Sequence, residues 1–252
     1  WKVPKPEYEG EIVGHELSGD VVEVGEAVTN VKPGDRVVIE TVLGDDTCDW
    51  CRVEQYNLCP NLYKVRRKTL SRAFAEYVAG PAKKFHKLPD NVSYEEAALL
   101  DTYAVSLHAC QITELSMTDK VVIIGAGPIG LSMLDLAKLS GATTAITDVL
   151  DFPLQIAQKL DADLIINTEK EDGHKKVLEF TGGRGADITY ECVGGKAMPT
   201  TFPQAVTFTR NGGKVCLVGG FDAGEISIPL NWEKIQKGEI RIIPSASYAF
   251  WD

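Results

Sequence analysis

The sequence predicts an α/β protein: a doubly wound parallel sheet preceded by a small β-barrel. Three observations carry that expectation. The apolar β-branched run Val121-Val-Ile-Ile breaks into glycines at Gly125, Gly127 and Gly130, and helical periodicity follows. From Lys120 to about residue 243, strand-like and helix-like segments alternate, as in a parallel sheet covered on both faces. Before residue 90 the β-rich runs are short and divided by glycine and proline, as in a small barrel.

Taken in order, the barrel half offers Ile12–Val13, Val21–Val24, Val37–Val42 and Ala75–Val78 as strands, divided by Gly14, Gly25 and Pro33-Gly34-Asp35. At Tyr94 the texture changes, and Glu95-Glu96-Ala97-Ala98-Leu99-Leu100 opens a helical stretch running toward Cys110. Strands are then expected near 120–124, 143–147, 164–167, 187–192, 213–218 and 240–243, and helices near 128–140, 152–160, 173–180 and 198–209. Right-handed crossovers follow from that alternation. Asn211-Gly212-Gly213 reads as a turn just before the fifth strand, and Asp161 stands where glycine would be the easier left-handed helix cap.

Composition narrows the function. The 252 residues are 44% hydrophobic and 25% charged, an ordinary balance for one large or two modest domains. A net charge of -10 and a pI near 5.0 argue against nucleic acid or an anionic membrane as partner, because phosphates would be repelled. No apolar run approaches membrane-spanning length, and Trp1-Lys-Val-Pro-Lys-Pro has no signal-peptide core, so a cytoplasmic protein is expected. The six cysteines do not read as a disulfide framework. Cys110 and Cys216 read as small buried hydrophobes.

The glycine turn has the spacing of a dinucleotide fingerprint. Gly125 makes the tight turn, Gly127 lets backbone approach a pyrophosphate, and Gly130 lets the helix pack close to the strand. Pro128 and Ile129 complete the turn, where the helix amides and positive dipole end face phosphates. Asp148 ends the second strand at the distance where a carboxylate meets the adenosine ribose. No Arg or Lys follows it (Val149, Leu150, Asp151), which favours NAD over NADP.

Two groups have metal-ligand chemistry. Asp45, Cys48, Cys51 and Cys59 combine C-x-x-C with a third thiol and an oxygen donor, a set suited to closed, tetrahedral zinc; the plain alternative is three free thiols in a polar loop. Gly14-His15-Glu16 is expected to close a short strand. Neighbouring side chains there reach one metal only where the strand ends or kinks, and an ordinary hydrogen-bonded pair is the plain alternative. By itself Asp101 reads as a helix-surface or capping carboxylate.

The order G-H-E, Ser18–Gly25 (S-G-x-V-x-x-V-G), Gly34–Val37 (G-D-R-V), the cysteine lobe, Ala73–Tyr77 (A-F-A-E-Y) and the glycine turn resembles the zinc-dependent medium-chain dehydrogenases across nearly the whole chain. The resemblance implies a partial GroES-like catalytic domain over 1–95 with a structural-zinc lobe at 44–60, a Rossmann NAD-binding domain over 96–244, and a return toward the catalytic domain at 245–252. It implies that His15 is the catalytic-zinc histidine, with Glu16 beside it as ligand or support. Asp101 falls where polyol, threonine and sugar dehydrogenases carry an acidic group at the zinc. Val193, Gly194 and Val218 fall on coenzyme-binding positions. The implied reaction moves a hydride from a secondary alcohol, polyol, sugar or amino alcohol to NAD, in a homodimer or homotetramer built on the strand at 240–243. A silent NAD-binding fragment and a zinc-free quinone reductase are the competing readings.

Three departures stand out. Asp45 replaces the usual first cysteine of the structural site, and Arg72 stands where glycine commonly precedes A-F-A-E-Y. Set against the family, the chain also starts after the segment that donates a catalytic cysteine and a Ser or Thr proton relay, and stops before the final strands and helix. A fragment, an incomplete clone or a degenerate copy would each fit that outline.

Overall fold

The computed structural model describes residues 14–62, 64–65, 73–220 and 225–249, so Ile12–Val13 and Arg72 lie outside the described residues. The chain divides into two units, Trp1–Asp101 with Ala249–Trp251, and Thr102–Tyr248 with Asp252.

In the first unit, β1 (Ser18–Asp20), β2 (Arg36–Ile39) and β3 (Phe85–Lys87) form an antiparallel sheet in that order. Val38 of β2 stands opposite both Ser18 and His86. Val37 and Ile39 are buried while Arg36 and Val38 are half-buried, the period-two alternation of a one-sided sheet. Ile39 and Leu43 pack with Leu17, Val65, Val78 and Phe85 in a small core.

Three expectations here need correction. Val21–Val24 is not a strand: Val21 N donates to Asp35 O and Gly34 N donates to Val21 O, but no ladder extends beyond Val21 among the described residues, and Val22 is exposed. The strand expected over Val37–Val42 ends at Ile39. Ala75–Val78 lies outside any strand, and its internal bond runs locally, from Ala75 N to Ala73 O. Conversely β3, too short and too basic to read as a strand, is held by its pairing with β2. The short helix α1 (Asp49–Arg52) carries the cysteine lobe.

The helical stretch after Ser93 is two helices. In α2 (Tyr94–Ala98), Ser93 accepts from Glu96 N and the Glu96 carboxylate accepts from Ser93 N, a reciprocal cap. Then follows α3 (Leu100–Ile112).

The second unit holds a six-stranded sheet, all parallel, of β4 (Lys120–Ile124), β5 (Thr143–Asp148), β6 (Leu164–Asn167), β7 (Ala186–Glu191), β8 (Thr209–Leu217) and β9 (Arg241–Pro244). The order is β6-β5-β4-β7-β8-β9, so the chain reverses direction across the sheet between β4 and β7. The helices are α4 (Pro128–Leu139), α5 (Asp151–Lys159), α6 (Gly173–Thr181), α7 (Met198–Phe208) and α8 (Trp232–Lys237).

Residue alternation on β4 builds both faces. Val121 and Ile123 join Met133, Leu134 and Leu154 of α4 and α5 on one side. Val122 and Ile124 join Val177, Met198 and Phe202 of α6 and α7 on the other. Each such side chain contributes about 1.5–3 kcal/mol through burial, which makes β4 the strand around which the unit is organised.

All six expected strands and the four expected helices are present, with ends moved by at most one residue, except that β8 begins at Thr209, four residues before the expected start at 213. Asp161 does cap α5 at φ 56°. The Asn211–Gly213 turn lies inside β8 rather than before it: pairing jumps from Ala186–Thr209 to Ile188–Lys214, so the turn is a bulge in the strand. Helix α8 was not anticipated; Asn231 caps it by accepting from Lys234 N.

Candidate coenzyme-binding turn and metal sites

The glycine turn joins β4 to α4. Gly125 has φ +97°, and a Cβ there would lie 2.6 Å from the Val193 side chain. A Cβ on Gly130 would meet Gly125 O at 1.8 Å, so no other residue fits without moving the helix. Gly127 faces open space, and as N-cap of α4 it offers no side-chain bond to the first helix amides. The turn therefore keeps an open approach beside a helix start, the surroundings that suit a phosphate.

Asp148, at the end of β5, is folded against this turn. One carboxylate oxygen accepts from Ala126 N at 2.7 Å and the other from Leu150 N at 2.9 Å. Val193 is partly exposed and packs at Gly125, and Val218 N donates to Glu191 O. The structure thus gathers Gly125, Gly127, Gly130, Asp148 and Val193 at the carboxyl ends of the strands beside the chain reversal, where open α/β sheets bind ligands.

In the cysteine lobe, one ligand atom from each of Asp45, Cys48, Cys51 and Cys59 lies within 4.8 Å of every other. Cys48 Sγ and Cys51 Sγ are 3.5 Å apart. Gly44 lets the lobe close, since a Cβ there would fall 2.3 Å from Cys51 Sγ. Asn61 donates to Asp45 Oδ2 while the Cys48 and Thr47 amides donate to Oδ1, which holds this carboxyl far below the usual range. Burial, and then the neighbouring Cys48 thiol, push Cys51 up to about 12. One fixed negative oxygen beside three crowded sulfurs is a donor set that fits zinc, and binding there would release protons.

The lobe is anchored by charge. Glu40 accepts from Tyr56 Oη at 2.5 Å and from Lys84 Nζ at 2.5 Å, and His86 Nε2 lies 3.3 Å from its other oxygen. Lys84 also sits 3.8 Å over the Tyr56 ring. Burial raises the Glu40 carboxyl, but His86, Lys84 and Tyr56 outweigh it and hold Glu40 below its ordinary value.

The third group forms around His15. Gly14, at φ +90°, packs on the Phe74 ring, so the A-F-A-E-Y segment lies against G-H-E. Gly14, His15 and Glu16 lie outside any strand and precede β1, and the strand they are expected to close, Ile12–Val13, lies outside the described residues. His15 Nε2 is 3.6 Å from Asp101 Oδ2, with His15 45% and Asp101 12% exposed. Thr41 Oγ1 donates to Asp101 Oδ1 at 2.8 Å. Glu16 is exposed, and these residues do not form a three-ligand cluster among the described residues. Asp101 is therefore a paired carboxylate aimed at His15, not a plain capping residue. Thr41 was not singled out from the sequence: nothing local marks a threonine whose partner is sixty positions away.

A doubly wound parallel sheet with this glycine turn defines a Rossmann-type protein. The alcohol dehydrogenase GroES-like domain matches residues 1–90 and the zinc-binding dehydrogenase domain residues 128–252. The chain is 39% identical over 247 residues to D-arabitol-phosphate dehydrogenase of Enterococcus avium, covering 96% of this chain and 68% of that protein. It is 36% identical over 239 residues to sorbitol dehydrogenase of Bacillus subtilis strain 168, covering 94% and 66%. A Sinorhizobium meliloti 1021 protein solved with NADP bound superposes at TM-score 0.84 with 26% identity, covering 95% of this chain and 70% of that one. The chain belongs to the zinc-type medium-chain dehydrogenase family, and it spans about two thirds of the length of the relatives it matches.

Proposed function

We propose that the protein carrying this chain is a zinc- and NAD-dependent dehydrogenase of secondary alcohols, acting on a polyol, sugar or amino alcohol. The observation that carries the reading is the Asp148 carboxylate folded onto a glycine turn that leaves open space at Gly127. The helix amides after that turn favour anionic phosphates, and Asp148 accepts from ribose hydroxyls while repelling a 2′-phosphate. NAD is thus preferred, although a structural neighbour holds NADP.

His15 and Asp101 supply nitrogen and oxygen donors for a catalytic zinc, Thr41 fixes the Asp101 carboxylate, and Glu16 supports His15 from the neighbouring position. Asp45, Cys48, Cys51 and Cys59 hold a second, structural zinc. When bound, zinc supplies Lewis acidity toward the substrate hydroxyl and the nicotinamide supplies a hydride acceptor. The two donor sets match that need: a mixed N/O pair suits a reactive centre, and the sulfur-rich lobe leaves no donor position open to substrate. The relatives' polyol and polyol-phosphate substrates support a polyhydroxylated substrate. The position of β9 at an edge of the sheet supports pairing with a second copy, as a dimer or tetramer.

The test is metal analysis of the intact protein together with NADH formation across polyols, sugars and amino alcohols, with NAD and NADP compared. Zinc content with NAD-linked turnover is expected. Tighter binding of NADP than NAD would refute the coenzyme preference, and undiminished turnover after complete metal stripping would refute the zinc chemistry.

A further inference from the structure

One buried acid lies behind the coenzyme turn and takes no part in the reading above. Glu191 ends β7, level with Ile124 of β4, and is fully buried. Its Oε1 accepts three bonds: from Val193 N at 3.1 Å, Gly194 N at 3.0 Å and Thr201 Oγ1 at 2.7 Å. Its main-chain oxygen accepts from Val218 N at 2.9 Å and Gly219 N at 2.8 Å. Its Oε2 is buried with no hydrogen-bond partner among the described residues, and a Cβ on Gly219 would lie 2.7 Å from it.

A carboxyl in such a place is costlier than an apolar side chain of similar volume, unless its bonds do what packing cannot. Here they aim two successive amides inward and turn the chain at Gly194, where a Cβ would strike Gly220 O at 2.4 Å. Gly195 N then donates to Gly220 O, tying the loop after β7 to the loop after β8. On its other side the first loop presses Val193 into the space that Gly125 leaves. The loops after β4, β7 and β8 thus all meet at Glu191.

We propose that Glu191 is a positioning residue for the coenzyme. It sets the Val193–Gly194 and Val218–Gly219 turns beside the glycine turn, and through them the affinity for NAD, without itself touching the coenzyme. The inference rests on the coenzyme reading of that turn.

The experiment is NAD titration of the intact protein by fluorescence, with turnover measured at saturating NAD. Glu191→Gln keeps an acceptor for all three donors and holds the NAD Kd within about threefold of the parent, whereas Glu191→Ala, which leaves buried donors unmet, raises it about tenfold or more. In the alanine variant kcat/KM for NAD falls much further than kcat, and KM for the alcohol is unchanged. A folded Glu191→Ala protein that binds NAD as the parent does, even with a lowered Tm, overturns the proposal and leaves Glu191 a purely structural residue. Should that variant not fold, Thr201→Val, which removes one of the three donors, carries the test: a Kd raised about threefold supports the proposal, and an unchanged Kd overturns it. Failure of the unsubstituted protein to bind NAD overturns the coenzyme reading, and this inference with it, before any substitution is compared.

Discussion

At the scale of single residues, Asp148 has two jobs. It holds the Ala126 amide and so shapes the glycine turn, and it is the acceptor proposed for the ribose. Asp148→Ala is expected to weaken NAD binding by about ten- to a hundredfold, the loss of one or two charge-assisted hydrogen bonds. Asp148→Asn keeps an acceptor for Ala126 but removes the charge, so it should narrow the gap between NAD and NADP. Calorimetric titration with both coenzymes checks this; unchanged NAD affinity in the alanine variant would remove Asp148 from the site. Asp148 could be found from sequence because its chemistry depends on a spacing along the chain. Thr41 and Glu191 could not, because each acquires its role from a partner brought up by the fold, and a glutamate in an apolar strand reads simply as an exception.

At the scale of elements, the cysteine lobe rests on the Glu40–Lys84 pair, whose side chains are only 9% and 8% exposed. Lys84→Met leaves Glu40 buried without its cation and is expected to cost about 3–5 kcal/mol, while a Glu40→Leu/Lys84→Met double variant recovers most of that loss. Thermal unfolding of the three proteins checks the sign; a double variant no better than the single would contradict the account. The legibility of elements divides along the same line as the forces behind them. The parallel sheet was readable because its central strand is buried on both faces and so spells a continuous apolar run, Val121–Ile124, and because strand-like and helix-like segments alternate after it. The barrel half was not, because its strands are three or four residues long and set by pairing: Phe85–Lys87 is a strand through β2, whereas Val21–Val24 is tied at Val21 to the Gly34–Asp35 turn and forms no strand. Of the candidate sites, the glycine turn and the cysteine lobe were visible as local spacings, whereas the approach of His15 to Asp101 needed the fold.

At the scale of the whole molecule, depressed carboxyls set the response to acid. Burial raises Asp187, but the Lys120 amide and the Arg210 guanidinium outweigh it and hold it low; Asp163 is held low against burial by the Thr144 amide, Lys138 and the Thr144 hydroxyl. Glu40 is held low in the same way. A group whose folded value lies below its unfolded value binds protons less readily when folded. Its stabilisation is therefore complete above the ordinary carboxylate range near pH 4 and is lost as the pH falls through the folded value. Chemical denaturation midpoints should be flat from about pH 6 to 7 and fall below about pH 4; a midpoint that rose on acidification would contradict the assignment of these pairs.

The strand order also has a consequence during synthesis. β4 lies between β5, which follows it directly, and β7, which emerges about sixty residues later, a delay of roughly 3–13 s at ribosomal speed. Through that interval one edge of the most apolar strand has no neighbour, and the nascent chain presents a sticky ribbon to whatever binds it first. A chaperone that captures unpaired strands would meet its target here, between the making of Ile124 and the making of Glu191.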